Sequence, residues 1–209
     1  MNFKQSFIKS ILILTVFGTA HAQQGFVSPP ALPDSIYYRQ LPEYPDAYTT
    51  ENVTARLIEG LAFRYYWASE GLRSTDLNYK PGPNTRTTEE TIDHIMGLSR
   101  IINNAIIGKE NTQTGEETNK MDFITKRNLT LEYLRNASES LRYKKVQLQD
   151  LKIIFINKEG KKTEYPFWNA INGPISDALW HIGQVVSFRR SSGNPFNNKV
   201  RLLTGMVSN

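Results

Sequence analysis

The chain contains no cysteine. That absence removes a disulfide framework, a thiolate nucleophile and a thiolate metal ligand together, so any metal must be held by nitrogen and oxygen. Histidine is almost as scarce, with three in 209 residues: His21, His94 and His181. Charge of one sign is also modest, with a formal net of +5. A nucleic-acid footprint needs cations clustered on one face, so the composition argues against a nucleic-acid partner.

A long apolar run is lacking too. Residues 11–17 form a short one, preceded by Lys4 and Lys9 and followed by Gly18-Thr19-Ala20-His21-Ala22. It is about half of the roughly 20 residues that a membrane span requires. The order of cations, short apolar core and small residues predicts a signal peptide over residues 1–22, cleaved after Ala22. The mature protein is then expected to be periplasmic or secreted and free of the membrane. Without a cysteine beyond the cleavage site, no lipid anchor is expected. Cleavage removes Lys4 and Lys9 and no acid, so the net charge falls from +5 to +3.

Proline is concentrated rather than absent. Five of the ten prolines lie in residues 23–48, interleaved with Tyr37, Tyr38 and Tyr44. Proline blocks a regular helix, so this segment is expected to be an extended arm lying on the domain through its aromatics. From residue 49 to 209 the pattern predicts one domain with a sizeable core.

Helical periodicity dominates that domain. A first helix is expected from Thr49 or Thr50 to Gly71, with Val53, Leu57, Leu61 and Trp67 at helical spacing. A second opens at Thr87, whose spacing to Glu90 is that of a capping box, and runs through Ile92, Ile95, Leu98 and Ile102 to Gly108. Residues 109–120 are polar and read as a mobile loop. A third helix is expected over residues 122–143, with Ile124, Leu131, Leu134, Ser138 and Leu141 on one side. Residues 151–156 and 162–165, separated by Asn157-Lys158-Glu159-Gly160, predict a β-hairpin. The last helix is expected to start at Pro174 and stop at Gly193, with Arg189 and Arg190 serving its C-terminal end. The expected architecture is therefore all-α: a four-helix bundle, a small hairpin between helices three and four, and the N-terminal arm.

Asp177 and His181 stand at i and i+4 and emerge from one helix face. His94 lies mid-way along the second helix. If those two helices are neighbours, two imidazoles and a carboxylate converge and leave coordination positions open for water or substrate. Such a set describes catalytic zinc and also the open facial site of non-haem iron, so the ligands alone leave the metal among Zn, Ni, Fe and Mn. Each residue also has a plainer reading. Asp177 suits the positive end of a helix dipole, and the two histidines suit hydrogen-bonded core positions. Glu90 is better explained by its capping box than as a fourth ligand. Arg64 and Tyr66, facing such a site, are candidates for stabilising anionic charge.

His181-Ile-Gly-Gln184, then Val-Val-Ser-Phe-Arg189-Arg190 and Gly193-Asn-Pro195, resembles the last helix of the DinB-like family. The stretch Asp76-Leu-Asn-Tyr-Lys-Pro-Gly82, with Arg86-Thr and Ile92-Asp-His94-Ile, is similar to that family's second helix and the loop before it. The resemblance covers about residues 50–195 with both motifs in order. It implies a DinB-like bundle and a metal held by His94, Asp177 and His181. The family typically has histidine where this chain has Asp177. A carboxylate there cancels one charge of the cation and raises the pKa of a bound water relative to three histidines. Relatives include thiol-dependent transferases and isomerases, a chemistry that suits an exported chain poorly because cytosolic thiols are scarce outside the cytoplasm. Metal-assisted hydrolysis of a small molecule is the other expectation. A non-catalytic binding or structural bundle that has lost the metal stands beside both, and a homodimer is left open.

Overall fold

Thr49, Thr87 and Asp122 each offer a side-chain oxygen to a backbone N–H that helix geometry would otherwise leave unpaired. Thr49 Oγ1 accepts from Asn52 N–H at 3.2 Å, and Asp122 Oδ1 from Thr125 N–H at 2.7 Å. Thr87 Oγ1 accepts from Glu90 N–H at 3.1 Å, while the Glu90 carboxylate accepts from Thr87 N–H at 2.7 Å. These caps start α1 (Thr50–Ser69), α3 (Thr88–Ile107) and α4 (Phe123–Tyr143), with the single-turn α2 (Ser74–Leu77) between the first two. Gly108 ends α3 in the left-handed conformation at φ 70°, where a side chain would be strained.

The structure, a computed structural model, describes residues 37–112, 120–144 and 146–208. The expected signal peptide over residues 1–22 and the first part of the expected arm lie outside the described residues.

The molecule is mostly helical with two small sheets, rather than all-α. α1 and α3 both pack on α4, and α6 (Ser176–Ser191) packs on α3 and α1. Tyr65, Ile58 and Leu61 of α1, Ile92, Ile95 and Ile102 of α3, Leu131 and Leu134 of α4, and Val185 of α6 fill the shared core. Each such side chain contributes about 1.5–3 kcal/mol by leaving water.

Three expected core positions are exposed instead: Val53 at 54%, Leu57 at 39% and Ile124 at 55%. The first turns of α1 are covered on one side only, along Ala55 and Ile58. From Leu61 to Ser69 every residue but Arg64 is buried, because that half is enclosed on all sides. Periodicity finds a stripe but not which of two adjacent stripes is covered.

The polar stretch after α3 is not all loop. Asn111–Thr112 forms β1, pairing parallel with β2 (Lys152–Ile156), which pairs antiparallel with β3 (Lys162–Pro166). The buried Asn111 side chain makes this possible. Its Oδ1 accepts from Asn104 Nδ2 at 3.0 Å, and its Nδ2 donates to the Ile154 carbonyl at 3.1 Å. The second sheet pairs β4 (Val200–Arg201) with β5 (Met206–Val207).

The last helical run begins before Pro174. α5 (Trp168–Ala170) leads into a π-type turn over Ile171–Ile175 and then α6. Gly173 leaves helical geometry there (φ −94°, ψ −107°), so Pro174 marks where the helix resumes after a kink.

Arg189 stands at the C-terminal end of its own helix, where Nε donates to the Asn194 carbonyl at 2.8 Å, and it does more than that. It is buried and caps another helix: Nη1 donates to the Trp67 and Ala68 carbonyls at the end of α1, at 3.0 and 2.9 Å. Asp76, fully buried, locks the same corner. It accepts from Arg73, from Ser192 Oγ at 2.6 Å and from Asn194 Nδ2 at 2.7 Å, tying α2 to the end of α6.

Candidate metal centre

The one-turn spacing on α6 puts Asp177 and His181 on a single face, and the packing of α6 on α3 brings that face to His94. Asp177 lies between the imidazoles. Its Oδ2 is 3.2 Å from His94 Nε2, and its Oδ1 is 3.2 Å from His181 Nε2. The rings stand edge to face, with centroids 4.6 Å apart. One donor atom from each residue lies within 4.8 Å of the other two, so the three form a group that can hold a metal ion. In a tetrahedral site with bonds of about 2.0–2.1 Å, donor atoms stand ~3.3 Å apart. Each His–Asp separation is close to that edge length, one through Oδ2 and the other through Oδ1.

Exposure is graded across the three. The His181 side chain is 12% exposed, His94 32% and Asp177 41%, so the cluster lies at the mouth of the helix packing and is reachable from solvent. Burial holds His94 below its usual pKa, aided by the positive field of Arg86 and opposed by the hydrogen bond to Asp177. A lowered value keeps the imidazole neutral near pH 7, as a metal ligand must be.

Gln184 is the functional side chain that the sequence reading left without a role. Its Oε1 accepts from His181 Nδ1 at 2.8 Å. That bond requires the proton on Nδ1 and leaves the Nε2 lone pair facing Asp177. A partner on the far nitrogen is the usual way a protein fixes tautomer and ring orientation of a metal-binding histidine. The signal was present in the spacing: Gln184 is at i+3 from His181 on the same helix.

Other candidates have partners elsewhere. Glu90 is engaged in the capping box with Thr87. Arg64 donates to the Gly60 carbonyl at 2.9 Å. The Tyr66 ring carries the Arg127 guanidinium on its face at 4.6 Å and packs against Trp67. Open space adjoins the cluster on α3. Gly97, one turn beyond His94, has no atom within 4 Å of where a Cβ would stand.

Comparison with protein-family models, with curated proteins and with solved structures gives no match for this chain.

Proposed function

We propose that the protein is an exported metalloprotein of DinB-like, four-helix-bundle type, holding a divalent cation through His94, Asp177 and His181 and acting on a small molecule. The observation that carries this reading is the convergence of three neutral-or-anionic donors within 4.8 Å of one another, with His181 oriented by Gln184. The donor set is nitrogen and oxygen only, which fits Zn²⁺, Ni²⁺, Fe²⁺ or Mn²⁺. A bound ion of this kind supplies Lewis-acid activation of a water or a substrate oxygen at the positions the protein leaves open. The chain's own residues do the rest. Asp177 cancels one cation charge, so the site keeps a net +1. Exposed Arg86 beside His94 adds to that field and favours an anionic substrate. Hydrolysis is the reaction class favoured over thiol-dependent transfer, because the chain's signal-like N-terminus directs it away from cytosolic thiols.

The test is metal content. Full-length protein purified without an affinity tag is expected to carry a divalent ion, and added Zn²⁺, Ni²⁺, Mn²⁺ or Fe²⁺ is expected to raise Tm. At a ligand concentration 100 times Kd the stabilisation is about 2.7 kcal/mol. His181→Ala is expected to abolish both effects. A metal-free preparation whose melting is unmoved by all four ions sinks the proposal. In that case the His94–Asp177 contact is an ordinary hydrogen bond, and the protein is a non-catalytic helical module.

A further inference from the structure

The arm and the C-terminal residues line an open cavity of about 650 Å³, within the range of small-molecule sites and containing none of the histidine-cluster residues. Arg39 and Lys199 line it, and neither side chain has an ion-pair partner among the described residues. Both are exposed cations on the wall, and an anion bound between them can accept charge-assisted hydrogen bonds from each. Polar groups stand beside them. Asn197 Oδ1 accepts from the Lys199 backbone N–H at 3.0 Å, which leaves the Asn197 amide NH₂ free to donate. Ser208, also on the wall, donates weakly to the Lys199 carbonyl at 3.2 Å. Trp67 and Val207 supply an apolar floor.

The wall is also held in a costly shape. Tyr38, immediately before Arg39, adopts φ 65°, a left-handed conformation that a bulky residue rarely takes. Its burial and a 2.8 Å hydrogen bond to Ser138 hold it there. The turn sets the Arg39 carbonyl against Trp67 Nε1 at 3.1 Å, and Leu41 N–H against the Gly205 carbonyl at 2.8 Å. Such outliers persist where the surroundings over-determine them, and ligand clamps are one place they cluster.

We propose that this cavity binds a free small molecule bearing a carboxylate or phosphate group, with the anion between Arg39 and Lys199 and an apolar body on Trp67 and Val207. The site is distinct from the histidine cluster. The proposal stands on residues that the metal reading does not use, so either can fail without the other.

Trp67 fluorescence provides the readout, in full-length metal-free protein carrying Trp168→Phe and Trp180→Phe to remove the two exposed tryptophans. Phenyl phosphate and phenylacetate are titrated as probes, with benzyl alcohol as the neutral control. At least one anion is expected to give a saturating change, and benzyl alcohol none. Arg39→Ala with Lys199→Ala is expected to weaken binding at least tenfold, and each single variant by a smaller factor. Both residues are exposed, so an unchanged melting curve identifies a folded variant; the single Lys199→Gln serves if the double does not fold. Asp177→Ala is expected to leave the titration unchanged. The proposal is overturned if neither anion saturates, if benzyl alcohol binds equally, if the double variant (or Lys199→Gln in its place) binds like the parent or the double loses less than tenfold, or if Asp177→Ala removes the signal. A Trp67 response to phosphatidylglycerol vesicles, with none to the free probes, overturns the assignment to a free ligand.

Discussion

Gln184 decides how His181 can act, because one hydrogen bond from Nδ1–H to its Oε1 settles which ring nitrogen keeps a lone pair. Gln184→Leu removes that acceptor and leaves the imidazole free to rotate or change tautomer. Metal affinity is expected to fall about 10–100-fold with little change in fold, checked by calorimetric titration with Zn²⁺. An unchanged affinity would mean that packing alone orients the ring. Asp76 is the corresponding single residue for the fold. The Arg73 guanidinium, with help from Ser192 and Asn194, holds its carboxyl well below the usual carboxylate range. A depressed folded-state pKa stabilises above the unfolded value of about 3.9 and loses that contribution as pH falls below it. Asp76→Asn is expected to cost about 3 kcal/mol at pH 7, with the gap to wild type narrowing below about pH 4. Denaturant melts at pH 7 and pH 3 measure both numbers, and a gap that stays constant would rule out the charge as its source.

At the scale of elements, two glycines make opposite predictions. Gly97 sits inside α3, where glycine costs about 0.5–1 kcal/mol against alanine, and an added Cβ there meets nothing within 4 Å. Gly97→Ala is therefore expected to stabilise by that amount in chemical denaturation. Gly205 holds φ 68°, and its Cβ would run into the Leu41 side chain. Gly205→Ala is expected to destabilise by more than about 1 kcal/mol and to loosen the arm, seen as faster proteolysis near residue 41. The same scale explains what local pattern could and could not reveal. The starts of α1, α3 and α4 were legible because a cap and its amide are three residues apart. The exposure of Val53 and Leu57 was not, because it depends on which neighbours cover the first turns of α1. Strand β1 was hidden for a similar reason: the bonds that hold Asn111 come from α3 and β2.

For the whole molecule, proton and metal compete at the junction of α3 and α6. Burial holds His94 below its ordinary value, so the folded protein binds that proton less readily than the unfolded chain. Stability of the metal-free protein is therefore expected to fall as pH drops below about 6.5, because the unfolded state then takes up more protons. Metal affinity should weaken over the same window, since the ligand must be neutral. Titrations with Zn²⁺ at pH 5, 6, 7 and 8 check this. Affinity independent of pH across that range would remove His94 from the ligand set.

The sequence by itself determined the chemistry on offer: no thiolate, two histidines in the helical domain, and Asp177 one helical turn from His181. It also determined the caps that begin the helices. These are properties of residues within four positions of one another, where helix geometry fixes who meets whom. Only the tertiary structure decided that His94, 83 positions before Asp177, closes the cluster, that Arg189 also caps α1, and that Arg39 and Lys199 share one cavity. Those meetings depend on how whole helices and the two chain ends pack, and no local period carries that information.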